Sequence, residues 1–210
     1  MSAPGGRFIV FEGGEGSGKS TQAALLAERL GAVATHEPGA TEVGRRLREV
    51  LLDPAAGRLS DRAEALLVAA DRAQHVAEVI GPALARGDDV VCDRFTGSTL
   101  AYQGYGRGLD VSELARLSEW AAAGVEPDLV VLLEVDPAAS AARLGRELDR
   151  MEAAGDAFHR RVAAGYRALA AADPDRWIVV DGVGSIEEVA ARVWHAVMTR
   201  VPSLEPATGG

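Results

Sequence analysis

Apolar positions along the chain fall into short runs separated by longer stretches of helical period. The runs are Phe8-Ile9-Val10-Phe11, Ala32-Val33-Ala34-Thr35, Val90-Val91-Cys92, Leu129-Val130-Val131-Leu132-Leu133 and Trp177-Ile178-Val179-Val180. Their length and β-branched content predict five strands, and the unbroken run at 129–133 predicts a strand covered on both faces. Between them the pattern predicts helices. One runs from Thr21 to near Gly31, and one from Thr41 as N-cap to Leu52 with Val43, Leu47, Val50 and Leu51 apolar. A long helix capped by Ser60 continues through Leu66, Leu67 and Val76 to Leu84, kinked at Gly81-Pro82 and closed by Gly87. A helix over Met151–Ala172 follows, and Ser185-x-x-Glu188 is a capping box for a last helix to about Met198. Gln103–Gly108 reads as a mobile glycine-rich loop between two helical segments, Asp136-Pro137 as the opening of a short helical arm to about Arg150, and 201–210 as a disordered tail.

Strands alternating with helices predict an α/β fold: a five-stranded parallel sheet with helices on both faces. No internal repeat or linker interrupts residues 1–200, so a single domain is expected. In such sheets ligands gather at the carboxyl ends of the strands. The polar residues there are Glu37, Asp93-Arg94 and the acids Glu134 and Asp136.

The first strand runs into Gly13-Gly14-Glu15-Gly16-Ser17-Gly18-Lys19-Ser20 and then a helix beginning at Thr21. G-x-x-x-x-G-K-[ST] between strand and helix is a phosphate-binding loop. Its glycines let successive backbone N–H groups curl round a phosphate at the positive end of a helix dipole. Lys19 would reach the β/γ-phosphates and Ser20 would ligate Mg²⁺. Lys19 is the only lysine among 22 basic residues, kept where a compact charge on a flexible stem is useful. Asp93, directly after the third strand, suits the same metal, and Arg94 offers a planar fork for a phosphate. An ion pair at a strand end is the structural alternative for both.

Composition narrows the partners. A net charge of −9 argues against a broad nucleic-acid or anionic-membrane surface, so anion sites must be local arginine clusters. Cys92 is the single cysteine, which excludes an intrachain disulfide and fits a reducing compartment. Residues 1–6 carry neither a basic nor an apolar leader region, and the longest solid apolar run is too short to span a bilayer. A cytoplasmic protein is expected.

From residue 92 onward the chain reads CDRFTGSTLAYQGYGRG. With FEGGEGSGKSTQ at 11–22, HEPGAT at 36–41, GRRLREVLL at 44–52, LLVAADRAQH at 66–75, PDLVVLLEVDP at 127–137 and DRMEAAGDAFHRRV at 149–162, it resembles the bacterial thymidylate kinases along nearly its whole length. The resemblance implies a P-loop nucleoside monophosphate kinase fold with an acceptor region at about 37–75 and a short lid at about 137–150. It implies transfer of the γ-phosphoryl of ATP·Mg²⁺ to dTMP by a homodimer. By position, Arg48 and Arg94 would grip the acceptor phosphate, with Glu37 beside them. Arg72 would bond the thymine edge, Ser98 and Thr99 would approach the base, and Tyr102, with Gln103 next to it, would crowd the sugar's 2′ position. Glu15 would face the acceptor's sugar. Some members carry a catalytic arginine inside the P-loop where this chain has Gly16, so here the lid would supply it from Arg143, Arg146 or Arg150, with Arg143 first.

Two positions depart from the family pattern. Val68 stands where an aromatic ring stacks on the base, and His36 replaces the arginine before Glu-Pro-Gly. The first leaves open another P-loop nucleoside or nucleotide kinase with relaxed base choice. A P-loop regulatory ATPase is the reading from a different class; no Asn-Lys-x-Asp motif supports a guanine switch. The remaining residues of note, Cys92, Trp120, Trp194, His75 and His159, read as strand, helix-face or surface packing.

Overall fold

A computed structural model describes residues 5–54, 57–136 and 149–201. The sheet has five strands, β1 Phe8–Glu12, β2 Val33–His36, β3 Val90–Asp93, β4 Leu129–Glu134 and β5 Trp177–Asp181, in the order β2-β3-β1-β4-β5. Every pairing is parallel, as the alternation of strands and helices predicts. The register sets Phe11 beside Asp93 and His36 beside the same Asp93, which aligns three strand ends along one rim.

Side chains alternate across the sheet. Ile9, Phe11, Val91, Val131 and Leu133 face α1 (Lys19–Leu30) and the last helix, Ile186–Arg200, through Leu26, Val193 and Val197. Phe8, Val10, Val90, Cys92 and Val130 face the other way, onto Val76, Ile80 and Phe95. A third cluster, Tyr102, Leu132, Phe158, Val162 and Tyr166, anchors the segment after β3 to the helix Asp156–Ala172. Each fully buried side chain of this size contributes about 1.5–3 kcal/mol over leaving it in water.

The helices begin where local chemistry stops the chain. Thr41 accepts from Gly44 N to start α2 (Glu42–Leu52), and Ser60 from Ala63 N to start α3 (Asp61–His75). The predicted capping box is present: Glu188 N donates to Ser185 Oγ and Ser185 N to Glu188 Oε2. Past His75 the long helix widens into a π turn, Val76–Ile80, before α4 (Gly81–Ala85). The disturbance expected at Gly81-Pro82 therefore takes the form of one wide turn, which Gly81 permits: a Cβ there would lie 2.9 Å from Val76 O.

Three expectations are corrected. The stretch 103–108 is not a loop. After α5 (Thr96–Thr99), residues Leu100–Gly106 form a π turn in which Gln103, Gly104 and Gly106 are buried, packed against α6 (Val111–Ala121) and the helix 156–172. Its glycines serve close packing, since a Cβ on Gly106 would stand 2.6 Å from the Phe158 ring. Met151–Ala172 is not one helix: a 3₁₀ turn, Glu152–Ala154, and Gly155 at φ 89° precede α7 (Asp156–Ala172). Trp120 does not pack; it is 80% exposed on α6, whereas Trp194 on α8 (Ile186–Arg200) lies partly buried under the Arg29 guanidinium. The arm and its Arg143 and Arg146, like residues 202–210, lie outside the described residues.

Candidate active site

The rim at the carboxyl ends of β1, β2 and β3 opens into a cleft of about 600 Å³. The P-loop leaves β1 at Gly13, whose φ of 151° brings its backbone so close to β4 that a Cβ would lie 2.6 Å from Leu133 O. Gly16 and Gly18 also take positive φ, and Gly18 leads into α1. Lys19 is buried, with Nζ donating to Gly14 O at 3.3 Å, and burial, then the nearby Arg94, pulls its pKa down. Ser17 Oγ is buried with no hydrogen-bond partner among the described residues. A loop with an open centre, a buried ammonium and an unsatisfied hydroxyl fits an anion.

Ser20 donates to Asp93 Oδ2 in a short contact, while Asp93 Oδ1 is buried without a partner among the described residues. This pair of hard oxygen ligands fits Mg²⁺, a cation that retains several waters and takes few protein ligands.

Arg94 holds the centre. Its backbone adopts φ 73°, the left-handed region that L residues rarely enter, while its N–H donates to Phe11 O at 2.9 Å. One end of the guanidinium, NH1, donates to Gly13 O at 3.1 Å, Ser98 Oγ at 3.0 Å and Tyr166 OH at 3.1 Å. The other, NH2, donates to Glu15 Oε1 at 2.6 Å and Tyr102 OH at 3.1 Å. Burial would raise the Glu15 pKa, but Arg94, Lys19 and the Tyr102 hydroxyl (2.7 Å away) outweigh it and hold the carboxyl at about 2.

Below Arg94 lies Glu12, at the end of β1 and fully buried. Its Oε1 accepts from Phe95 N at 3.0 Å and Ser98 N at 2.9 Å; its Oε2 accepts from Ser98 Oγ at 2.6 Å and Tyr166 OH at 3.1 Å. Burial raises its pKa. Both hydroxyls spend their proton on Glu12 and present lone pairs to Arg94.

Arg72, on α3 and fully buried, donates through Nε to Glu37 Oε2 at 3.0 Å, through NH1 to Ser118 Oγ at 3.2 Å and through NH2 to Thr99 Oγ1 at 3.0 Å. The other Glu37 oxygen pairs with His75 Nδ1 at 3.0 Å, and His75 Nε2 meets Thr35 Oγ1 at 2.6 Å. Glu37 thus supports Arg72. Arg48 donates to Pro38 O at 2.8 Å, and the next residue, Gly39, donates its N–H to Asp71 Oδ1 at 2.9 Å. Burial, then the neighbouring Glu37, lifts the Asp71 carboxyl to about 6. Partial burial, then Arg48, lowers His36 below the usual histidine range.

Glu15, Lys19, Ser20, Glu37, Arg48, Val68, Arg72, Asp93, Arg94, Ser98, Thr99, Tyr102 and Gln103 all line this one cleft, together with His36. Of the strand-end acids, Glu134 pairs instead with the exposed Arg167, and Arg150 turns to Leu51 O, 2.7 Å from its Nε, and towards Glu64. Sequence reasoning missed Glu12, Asp71, His75 and Tyr166 as members of this network. The signal was weak: Glu12, Asp71 and His75 lie inside quoted motifs and Tyr166 lies outside them, and the partners of Glu12, His75 and Tyr166 come from distant segments.

A family model for thymidylate kinases matches residues 11–193. This chain belongs to the thymidylate kinase family. It is 52% identical over 202 residues to a thymidylate kinase of a Synechococcus species, covering 93% of this chain and 96% of that protein. With the thymidylate kinase of Cutibacterium acnes it shares 49% over 205 residues, covering 95% and 98%. The crystal structure of thymidylate kinase from Ehrlichia chaffeensis superimposes with a TM-score of 0.78 at 34% identity, covering 93% of this chain and all of that one. The thymidylate kinase fold is therefore the architecture described above, and the family makes this chain a phosphotransferase acting on a nucleoside monophosphate.

Proposed function

We propose that this protein transfers the γ-phosphoryl group of ATP to the 5′-phosphate of dTMP, giving dTDP and ADP. One observation carries the reading: the P-loop and the guanidinium groups of Arg48, Arg72 and Arg94 line a single cleft. A phosphate oxygen of dTMP bonds to the γ-phosphorus as the bond to the β–γ bridging oxygen breaks, and ADP leaves with that electron pair. Two anions must meet in line, so the protein's share is positioning and charge stabilisation.

In this reading the backbone from Gly13 to Thr21, including Gly14, Gly16, Ser17 and Gly18, cradles the triphosphate, and Lys19 neutralises it. Ser20 and Asp93 would hold Mg²⁺, which would supply positive charge against the phosphate oxygens. Arg48 and Arg94 grip the acceptor phosphate, and Arg94 screens it from the donor. Tyr102 and Glu15 face the sugar, while Arg72, supported by Glu37, reads the base together with Ser98, Thr99 and Gln103. Arg143 would fold over the donor from the lid. The protein would act in the cytoplasm; no helix among the described residues is long and apolar enough to cross a membrane. It would act as a homodimer, a reading supported by two large apolar side chains left in solvent on the neighbouring helices α3 and α6, Leu66 (58% exposed) and Trp120.

Relaxed base choice is favoured by a specific observation. Val68 lines the cleft wall in place of a ring, and Phe95, an aromatic residue lining the same cleft, is covered by the Arg72 guanidinium 4.9 Å from its centroid. A coupled ADP-release assay with dTMP, dUMP, dCMP, UMP and no acceptor separates the readings. Turnover should require a deoxypyrimidine monophosphate, with dTMP preferred; turnover without acceptor would remove the kinase reading. Arg94→Ala should cut turnover by about 10²–10³, the scale of losing a charge-stabilising donor, while ATP binding survives. Unchanged turnover would refute its assigned role.

A further inference from the structure

Glu64 has no part in the mechanism above, yet its side chain is buried on α3 and surrounded by donors. Gln103 Nε2 donates to its Oε1 at 2.9 Å, Arg107 Nε to Oε1 at 3.1 Å and Arg107 NH2 to Oε2 at 3.0 Å. The Arg150 guanidinium approaches Oε2 at 3.4 Å. A carboxylate so paired offers acceptors only. The Gln103 amide therefore has one allowed orientation. Turned over, it would set its carbonyl oxygen against a carboxylate oxygen at the distance now bridged by a proton.

What remains of Gln103 is its carbonyl. Gln103 is 2% exposed and lines the cleft, and with its Nε2 spent on Glu64 its Oε1 is the end of the amide turned away from that carboxylate. It is presented from the π turn Leu100–Gly106, the kind of local widening that recurs at functional sites. Arg72, lining the same cleft, can only donate. The cleft thus offers a base one donor-only and one acceptor-only group. A pyrimidine with a 4-oxo group and an N3–H supplies the opposite pair. A 4-amino pyrimidine, with an NH₂ donor and a bare N3 acceptor, matches neither.

We propose that Glu64 is a specificity-determining positioning residue: by fixing the Gln103 amide, it makes the cleft select thymine and uracil over cytosine. The inference rests on the reading of this cleft as a nucleoside monophosphate site. It adds that discrimination at N3 is set from behind the first layer of contacts, by a residue that never touches the base.

The test is kcat and KM for dTMP, dUMP and dCMP in the wild-type protein, Glu64→Gln, Gln103→Leu and the double variant. A glutamine at 64 both donates and accepts, so the amide at 103 becomes free to turn. Glu64→Gln should lower the dTMP-to-dCMP ratio of kcat/KM about tenfold or more, the scale on which a site built for one hydrogen-bond pattern rejects another. The change should lie in KM for the monophosphate, with dUMP following dTMP and KM for ATP unmoved. Gln103→Leu should collapse the same ratio, and adding Glu64→Gln to it should change the ratio no further. Equal losses for dTMP and dCMP in Glu64→Gln would show a purely structural role and overturn the proposal. An unchanged ratio in Gln103→Leu would overturn it even where Glu64→Gln fails to fold, because Glu64 acts only through that amide. A wild-type protein inactive with dTMP would remove the kinase reading itself; one using dTMP and dCMP equally would remove this inference alone.

Discussion

Arg94 is held by five hydrogen bonds and a left-handed backbone, and the residue that organises its hydroxyl partners is Glu12. Ser98 and Tyr166 both give their protons to Glu12, so both oxygens are left to accept from the guanidinium. A glutamine there would turn an N–H towards one hydroxyl and reverse that polarity. Bonds to charged groups are worth about 1.5–3 kcal/mol, so Glu12→Gln should lower kcat/KM for dTMP roughly ten- to a hundredfold. KM for ATP should stay within about twofold; wild-type kinetics in this variant would show that Arg94 needs no such support. Lys19 was legible in the sequence because the P-loop binds its chemistry to a fixed local spacing, and Arg94 because it directly follows a strand, whereas Glu15 was singled out only through the family resemblance. Glu12 and Tyr166 were not legible, since they lie 154 residues apart and only the folded sheet brings them together. Asp71 was equally silent. Its Oδ2 is buried without a partner among the described residues, and its pKa stands at about 6 against an ordinary 3.8. A carboxyl raised in the folded state destabilises the protein when ionised. Its cost is full above pH 6 and vanishes as the pH falls towards 4. Asp71→Asn keeps an acceptor for Gly39 N–H, so at pH 8 it should raise Tm by a few degrees, and the gain should shrink to nothing by pH 4. A gain that grows on acidification would contradict this account.

Among the elements, the two π turns do the work that sequence reading assigned elsewhere. Val76–Ile80 absorbs Gly81-Pro82 within a continuing helix, and Leu100–Gly106 carries Tyr102 and Gln103 into the cleft. The strands, the caps and the P-loop were readable because each depends on near neighbours: Thr41 on Gly44, Ser185 on Glu188. The run Gln103–Gly108 was misread because glycine signals both freedom and tight approach, and only the neighbouring α7 decides between them. Gly106 faces Phe158 and Val162, so Gly106→Ala forces a methyl into a filled space. Overpacking of this kind costs about 1–3 kcal/mol, which for a domain this size lowers Tm by roughly 2–4 °C per kcal/mol. A scanning-calorimetry trace unchanged by the substitution would mean that the contact yields without strain.

For the molecule as a whole, a net charge of −9 coexists with a cleft whose working groups include one buried ammonium and three guanidiniums. Acids and cations gather where the sheet order brings the ends of β1, β2 and β3 together: Glu15, Glu37 and Asp93 line the cleft with Lys19, Arg48, Arg72 and Arg94. Glu15 is the acid closest to these cations, and with a pKa of about 2 it stays ionised through the neutral range. Its stabilising contribution is complete above about pH 4.5 and is lost only as the pH falls towards 2. The parallel α/β architecture followed from strand and helix alternation alone; the convergence of Arg48, Arg72 and Arg94 followed from the family resemblance and from the strand-end rule. The most direct measurement of the central claim is to supply ATP labelled at the γ-phosphorus with unlabelled dTMP and to locate the label in the products. The account predicts label in the β-phosphate of dTDP, at a rate equal to ADP release. Label recovered as inorganic phosphate, with dTMP unchanged, would contradict it.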